Sequence, residues 1–226
     1  MTGGIPRLFE TMRVRNGGVP FARGHANRLR GSSRALGLAS PPDIADLAAI
    51  RAAALPADHV LRVSWDGRAL HWSDRPFAVF AAPRVAVVRS RHRGYPHKLV
   101  ERSQFDAAMR EARSRGADEP VLRTSRGYLA EGARFGVVWL DGGVARTPAL
   151  GLAILPSIGI ARLGQVARSE NGMAVARGTH MPEEVVGRPA ALVNAVQGIV
   201  PIGWLDGVPV PGDERWRAWA AVFWAA

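Results

Sequence analysis

Short runs of alternating apolar residues and short runs of helical periodicity succeed one another along this chain, and glycine, proline or an Asp-Gly pair ends most of them. No internal repeat or low-complexity tract is present. Elements that stay this short and change type this often fold as an α+β structure. At 226 residues the chain is long enough for one large or two modest domains with cores of their own. The alternation over 8–14 predicts a strand, and Asn16-Gly17-Gly18 a turn after it. Helical spacing runs over 22–38, and Asp43 is placed to cap a second helix ending near Ala54. Strands are expected at 60–65, 69–72, 77–81 and 85–88, broken by Asp66-Gly67 and Pro83. A helix over 103–115 carries Phe105, Ala108, Met109 and Ala112 on one face. Strands follow at 119–123, 128–130, 136–140 and 144–146, the last two joined by Asp141-Gly142-Gly143. A helix over 159–166, strands at 190–195 and 199–205, and an amphipathic helix over 213–223 complete the series. The expected organisation is a small α+β subdomain at 1–82, a connection at 83–97 and a larger α/β subdomain at 98–226.

An apolar fraction of 47% with mixed charges describes a soluble globular protein. The absence of cysteine excludes disulfides and thiolate chemistry. The start, Met1 to Pro6, has no leader-like apolar core, and no run approaches a membrane span. A cytoplasmic protein with no membrane partner is therefore expected. The net charge of +11 raises nucleic acid as a partner. The arginines are scattered, however, and no aromatic residues alternate with them on a strand face, so no nucleic-acid partner is expected. The densest basic cluster, Arg84, Arg89, Arg91 and Arg93, stands just before residue 98, where it suits an anionic substrate.

The 30 basic side chains are 29 arginines and a single lysine, Lys98. Arginine replaces lysine on a solvated surface, but not where an amine must lose its proton and form a covalent bond. Lys98 is thus the first candidate nucleophile, a Schiff-base former and proton carrier. A surface lysine that survived drift is the other reading of the same count. The histidines, at 25, 59, 71, 92, 97 and 180, show no metal-ligand spacing, so no metal site is expected. The hydrolase nucleophile elbow and the P-loop are absent. What remains is amine-centred chemistry. Pyridoxal phosphate would need a carboxylate facing its pyridine nitrogen, a cradle of amides or cations for its phosphate, and a further cation for the substrate carboxylate. Glu131, closing a short strand, is a candidate for the first role or an exposed loop glutamate. Gly159-Ile160-Ala161-Arg162 opens a helix after Pro156, as a phosphate cradle or as an ordinary helix start. Arg28, mid-helix, is a ligand or a solvated side chain.

The order of these signals is more informative than any one of them. Phe9-Glu10-Thr11 is followed by His25-x-x-Arg28-Leu29, Lys98 and Gly127-Tyr128-Leu129-Ala130-Glu131-Gly132. Asp141-Gly142, Thr147-Pro148, Leu155-Pro156 and Gly159-Ile160-Ala161-Arg162 come next. The series ends in Asn194-Ala195-Val196-Gln197-Gly198-Ile199-Val200-Pro201-Ile202. Over almost the whole chain this succession resembles the class IV aminotransferases, two-subdomain pyridoxal-phosphate enzymes of fold type IV, the D-amino-acid aminotransferase fold. The resemblance implies that Lys98 forms the internal aldimine and that Glu131 partners the pyridine nitrogen. It also implies that Arg28, Gly159 and the amides of Ile160 and Ala161 bind the cofactor phosphate, with Asn194 and Ala195 on its other side.

Within the family, the last segment and the Lys98-x-x-x-Arg102 spacing are most similar to 4-amino-4-deoxychorismate lyase. That likeness implies conversion of 4-amino-4-deoxychorismate to 4-aminobenzoate and pyruvate. Lys98 would take the α-proton, Thr11 would assist proton transfer, and Arg89, Arg93 or Arg102 would hold the carboxylates of a small anionic amino-substituted substrate. A class IV transaminase acting on amino and keto acids is the same-fold alternative, and a degenerate non-catalytic homologue the alternative of another class. A homodimer is implied, each site completed by the neighbouring subunit. The sequence also departs from the family. The hairpin that usually precedes the Phe-Glu-Thr strand is missing. Ala161 and Ala195 replace usual hydroxyl residues, and Gly136 replaces a usual asparagine. Each lost hydroxyl is expected to weaken cofactor binding by about 1 kcal/mol.

Overall fold

The computed structural model describes residues 6–225, so the readings made on residues 1–5, the absent leader and the missing hairpin, lie outside the described residues. The chain forms two compact units, residues 6–79 with 97–101 and residues 80–96 with 102–225.

In the first unit, β1 (Leu8–Val14), β2 (His59–Trp65) and β3 (Leu70–Pro76) form an antiparallel sheet in the order β1-β2-β3. Helices α1 (Ala22–Ala35) and α2 (Ile44–Ala53) complete the unit. The period of two in β1 and β2 sends Leu8, Met12, Val14, Leu61, Val63 and Trp65 into a core shared with Leu29 of α1 and Ile44, Ala45 and Ala48 of α2. Asp43 caps α2 as its position predicts, accepting the Ala45 N–H at 2.9 Å. Helix α1 stops at Ala35 rather than Leu38, because Gly37 at φ +68° turns the chain.

The outer edge of β1 is covered by residues 97–101. The Phe9 N–H donates to the Lys98 carbonyl at 2.9 Å and the Val100 N–H to the Arg7 carbonyl at 2.7 Å. Lys98 therefore belongs to the first unit, not to a subdomain at 98–226. An unpaired strand edge seeks backbone partners wherever the chain passes, and periodicity does not report that.

The second unit comprises two five-stranded sheets. One joins β13 (Val208–Pro209), β12 (Trp204–Leu205), β4 (Arg84–Arg91), β5 (Glu119–Arg123) and β6 (Leu129–Gly132) in that order. The other joins β11 (Gly198–Pro201), β10 (Ala190–Asn194), β7 (Gly136–Asp141), β8 (Val144–Pro148) and β9 (Val175–Gly178). Val85, Val121 and Leu129 of the first sheet meet Val137, Trp139, Leu192 and Val200 of the second in one buried core. Helix α3 (Ser103–Ser114) packs on β4 and β5, whereas α4 (Ile158–Asn171) and α5 (Glu214–Val222) pack near β10 and β11. Among the described residues no helix is long and apolar enough to cross a membrane.

Two further expectations change. Residues 77–81 form no strand: the Phe80 amide donates to the Gln197 side chain, and Ala82 sits at φ 43°. The run 199–205 splits into β11 and β12, because the Ile202 amide goes to Ala190 and the Gly203 amide to Pro83, carrying the chain from one sheet to the other. Strands β9 and β13, which the sequence reading does not contain, are too short to stand out by alternation.

The start of α4 lies against the end of β10. A Cβ on Gly159 would lie 2.6 Å from the Asn194 carbonyl carbon, whereas one on Gly164, in the same helix, would meet only Val175 at 3.9 Å. Gly159→Ala should lower stability by more than about 2 kcal/mol, and Gly164→Ala should raise it by roughly 0.5–1 kcal/mol through helix propensity. Urea denaturation of the two variants checks both signs, and equal shifts would contradict the close approach.

Candidate active site

The candidate residues fall into two groups, one in each unit. In the first, the two faces of β1 carry different chemistry. Glu10 points with the core toward α1 and is 1% exposed. Its Oε1 accepts Arg28 Nε at 2.8 Å, and its Oε2 accepts Arg28 Nη2 at 2.6 Å. The same Oε2 lies 2.7 Å from Nδ1 of buried His25. The spacing His25-x-x-Arg28 puts both donors on one side of α1. Burial pushes the Glu10 carboxyl up, but the Arg28 charge and the hydrogen bonds from Arg28 and His25 outweigh it and hold the group at about 2. Burial pushes the His25 imidazole below its ordinary value against the pull of Glu10, helped by the charges of Arg28 and Lys98. Arg28, expected at a phosphate, thus has two of its nitrogens committed to Glu10.

Phe9 and Thr11 alternate onto the opposite face of β1. Lys98 is centred in a tight turn in which the Leu99 N–H donates to the His97 carbonyl at 2.9 Å. Its Nζ lies 4.6 Å from the centroid of the Phe9 ring, over which the Arg62 guanidinium also sits at 3.9 Å. Thr11 stands opposite Arg62 in the β1–β2 register. The structure therefore gathers Lys98, Thr11 and Arg62 around Phe9. Arg62 was not singled out, because among 29 arginines no spacing marks it. Its period-two position in β2 is the signal that was available.

In the second unit, Glu131 is a buried residue and not an exposed loop glutamate. Between the pairs Leu129–Arg123 and Gly132–Val121, β6 advances three residues while β5 advances two. That bulge breaks the alternation that would have turned Glu131 to the same side as Leu129, a core residue. Glu131 Oε1 meets His92 Nε2 at 2.9 Å and the Leu155 N–H at 3.2 Å.

Ser157 caps α4, its Oγ accepting the Ile160 N–H at 3.2 Å and its carbonyl the Ala161 N–H at 3.0 Å. Both expected cradle amides thus have partners inside the helix cap. Asn194 Oδ1 accepts the amides of Val196 and Gln197 at 2.8 and 2.7 Å, which shapes the loop holding buried Ala195. Arg162 binds the carbonyls of Val222, Phe223 and Ala225 at the end of α5. Arg102 donates to the Ala133 carbonyl and lies over the Phe105 ring at 4.6 Å. Arg89 and Arg93 are exposed. Of the three arginines expected at a substrate, only Arg102 is part-buried.

The sequence profile of the family described as amino-transferase class IV matches residues 7–203. The chain belongs to the class IV aminotransferase family. Class IV aminotransferases are pyridoxal-phosphate-dependent enzymes. The fold is similar to that of a fold IV-transaminase from Curtobacterium pusillum, at 25% identity and TM-score 0.84, over 100% of this chain and 85% of that one. It is also similar to a candidate 4-amino-4-deoxychorismate lyase from Legionella pneumophila, at 21% identity and TM-score 0.84, over 96% and 89% of the two chains. A hypothetical aminotransferase from Mycobacterium tuberculosis in its PLP-bound form aligns at 22% identity and TM-score 0.84, over 99% and 90%. No curated protein matches by sequence. The fold is therefore the expected fold-type-IV α+β architecture.

The Glu10 cluster has a measurable acid signature. Its folded carboxyl lies near 2 against an ordinary 4.5, so its contribution is complete above 4.5 and is lost as pH falls toward 2. His25 acts in the same direction, since its folded imidazole resists a proton that the unfolded chain takes up below 6.5. Between about pH 6 and about pH 3 the stability gap between the parent and Glu10→Gln should shrink by about 2 kcal/mol. Urea midpoints across that range measure it, and a constant gap would contradict the pairing.

Proposed function

We propose that this chain is a pyridoxal-phosphate lyase of the aminodeoxychorismate lyase type, acting on a small anionic amino-substituted substrate. The observation that carries the reading is the sole lysine, held by backbone hydrogen bonds on the edge of β1 with a second cation over the same aromatic ring. The side chains fit the cofactor. Glu131 takes both of its hydrogen bonds on Oε1, and Oε2 accepts none from the described residues, as an acceptor for a protonated ring nitrogen requires. Glu10 takes the Nε and Nη2 side of Arg28 and so orients its guanidinium, whose charge serves a phosphate in this reading. In this reading Gly159, at the start of α4, lies at the phosphate, while the amides of Ile160 and Ala161 keep their Ser157 partners. Bound there, the cofactor supplies an electron sink for charge released at the substrate α-carbon.

Lys98 would hold the cofactor covalently, and its Nζ would be the group that takes the α-proton. In this reading Thr11, opposite Arg62 in the β1–β2 register, assists proton transfer. Arg62 holds a substrate carboxylate, a role its contact with Phe9 supports better than the exposed positions of Arg89 and Arg93 do. A second copy of the chain belongs to the same reading. A transaminase is the second reading, favoured by the likeness to the Curtobacterium transaminase.

Titration with pyridoxal phosphate should raise a visible absorption band in the parent and none in Lys98→Ala. A band in neither protein would overturn the enzyme reading. With the band established, release of pyruvate and 4-aminobenzoate from 4-amino-4-deoxychorismate supports the lyase, and amino-group exchange between amino and keto acids supports the transaminase instead. Arg62→Ala should keep the band and raise KM by about tenfold or more, the loss of one charge-assisted contact.

A further inference from the structure

His92 lies outside the chain's recognised motifs, yet its side chain is 1% exposed and its Nε2 is 2.9 Å from Glu131 Oε1. Its backbone is fixed as well, since the His92 N–H donates to the Arg123 carbonyl at 2.8 Å just past the irregular pairing of β4 with β5. The Gly94 N–H donates to His92 Nδ1 at 3.3 Å from a turn in which Gly94 adopts φ +88°. A ring nitrogen that accepts cannot carry the proton, so Nε2 carries it and donates to Glu131. A second proton on Nδ1 would face the Gly94 N–H. Phe105 packs edge-on against the imidazole, with ring centroids 6.1 Å apart.

The consequence falls on Glu131. Both donors, His92 Nε2–H and Leu155 N–H, converge on Oε1. The carboxylate plane is therefore fixed by two anchors on different segments, and Oε2 is the oxygen left to meet an N–H from outside the protein. Without the imidazole, one backbone amide alone would hold the group, and it could rotate about χ3, which is soft for glutamate.

We infer that His92 is a positioning residue: locked in its Nε2–H tautomer by Gly94, it holds Oε1 of Glu131 so that Oε2 faces the ring nitrogen of the cofactor. The inference rests on the cofactor reading above, but its local premise does not. Long-range proton–nitrogen correlation spectra of the cofactor-free protein should show a buried histidine with bare Nδ1 and protonated Nε2, absent in His92→Gln. The opposite tautomer would overturn the inference without touching the cofactor reading.

The functional premise is read from pyridoxal phosphate titrations of the parent, His92→Leu, His92→Gln, Glu131→Gln and the double variant His92→Leu/Glu131→Gln. His92→Leu should bind the cofactor about tenfold more weakly, with an altered absorption band, and His92→Gln, which keeps a donor, should restore both. In the double variant the His92 change should have no further effect, because the two act as a unit. Additive losses, a band unchanged in His92→Leu, or failure of His92→Gln to recover it would each overturn the inference. Absence of any band in the parent would instead overturn the cofactor reading.

Discussion

The buried ion pair between Glu10 and Arg28 is the constraint on which the arrangement of the first unit depends. A carboxylate at 1% exposure is tolerated only because both oxygens meet donors, and the guanidinium supplies two of them in a geometry an ammonium lacks. Removing either partner leaves an uncompensated charge in the interior, at a cost of roughly 3–5 kcal/mol. The pair therefore fixes α1 against β1 at one register. That register matters because the neighbours of Glu10 in the strand, Phe9 and Thr11, must face the other way.

The second face of β1 shows why. Phe9 has the Lys98 ammonium and the Arg62 guanidinium over its ring, while its own amide holds the Lys98 carbonyl. Side chain and backbone of one residue thus fix both ends of the lysine. A flexible four-carbon chain loses up to about 2 kcal/mol of rotamer entropy when ordered, and a partial anchor already in place lowers what a ligand must supply. Two cationic side chains around one aromatic ring also make a place that favours a bound anion.

Much of this was legible in the sequence. Strands β1, β5, β7 and β10 lie within a residue of where the sequence predicts them, the Asp43 cap holds α2, and the succession of motifs gives the family. Three kinds of information were not legible. Pairing of residues 97–101 with β1 depends on a free strand edge, a property of the folded sheet. The side to which Glu131 turns depends on a bulge of one residue, which leaves no compositional trace. The partners of an arginine in a chain with 29 of them depend on tertiary contacts: Arg28 binds a buried carboxylate, Arg62 an aromatic ring, and Arg162 the end of a helix.

Gly136 shows how a departure from the family pattern can be structurally coupled. A Cβ at this position would lie 2.8 Å from Cγ1 of Ile160, so the isoleucine occupies the volume that the usual asparagine would need. Ile160 is 3% exposed, and its amide is held by the Ser157 cap, so neither its backbone nor its side chain has room to yield. Restoring the asparagine alone would therefore overpack a closed site, a change that costs about 1–3 kcal/mol in well-packed interiors. Glycine at 136 and isoleucine at 160 are one packing solution. The smaller strand residue and the larger helix residue together fill the space at the start of α4, and a change at one position has meaning only with the other.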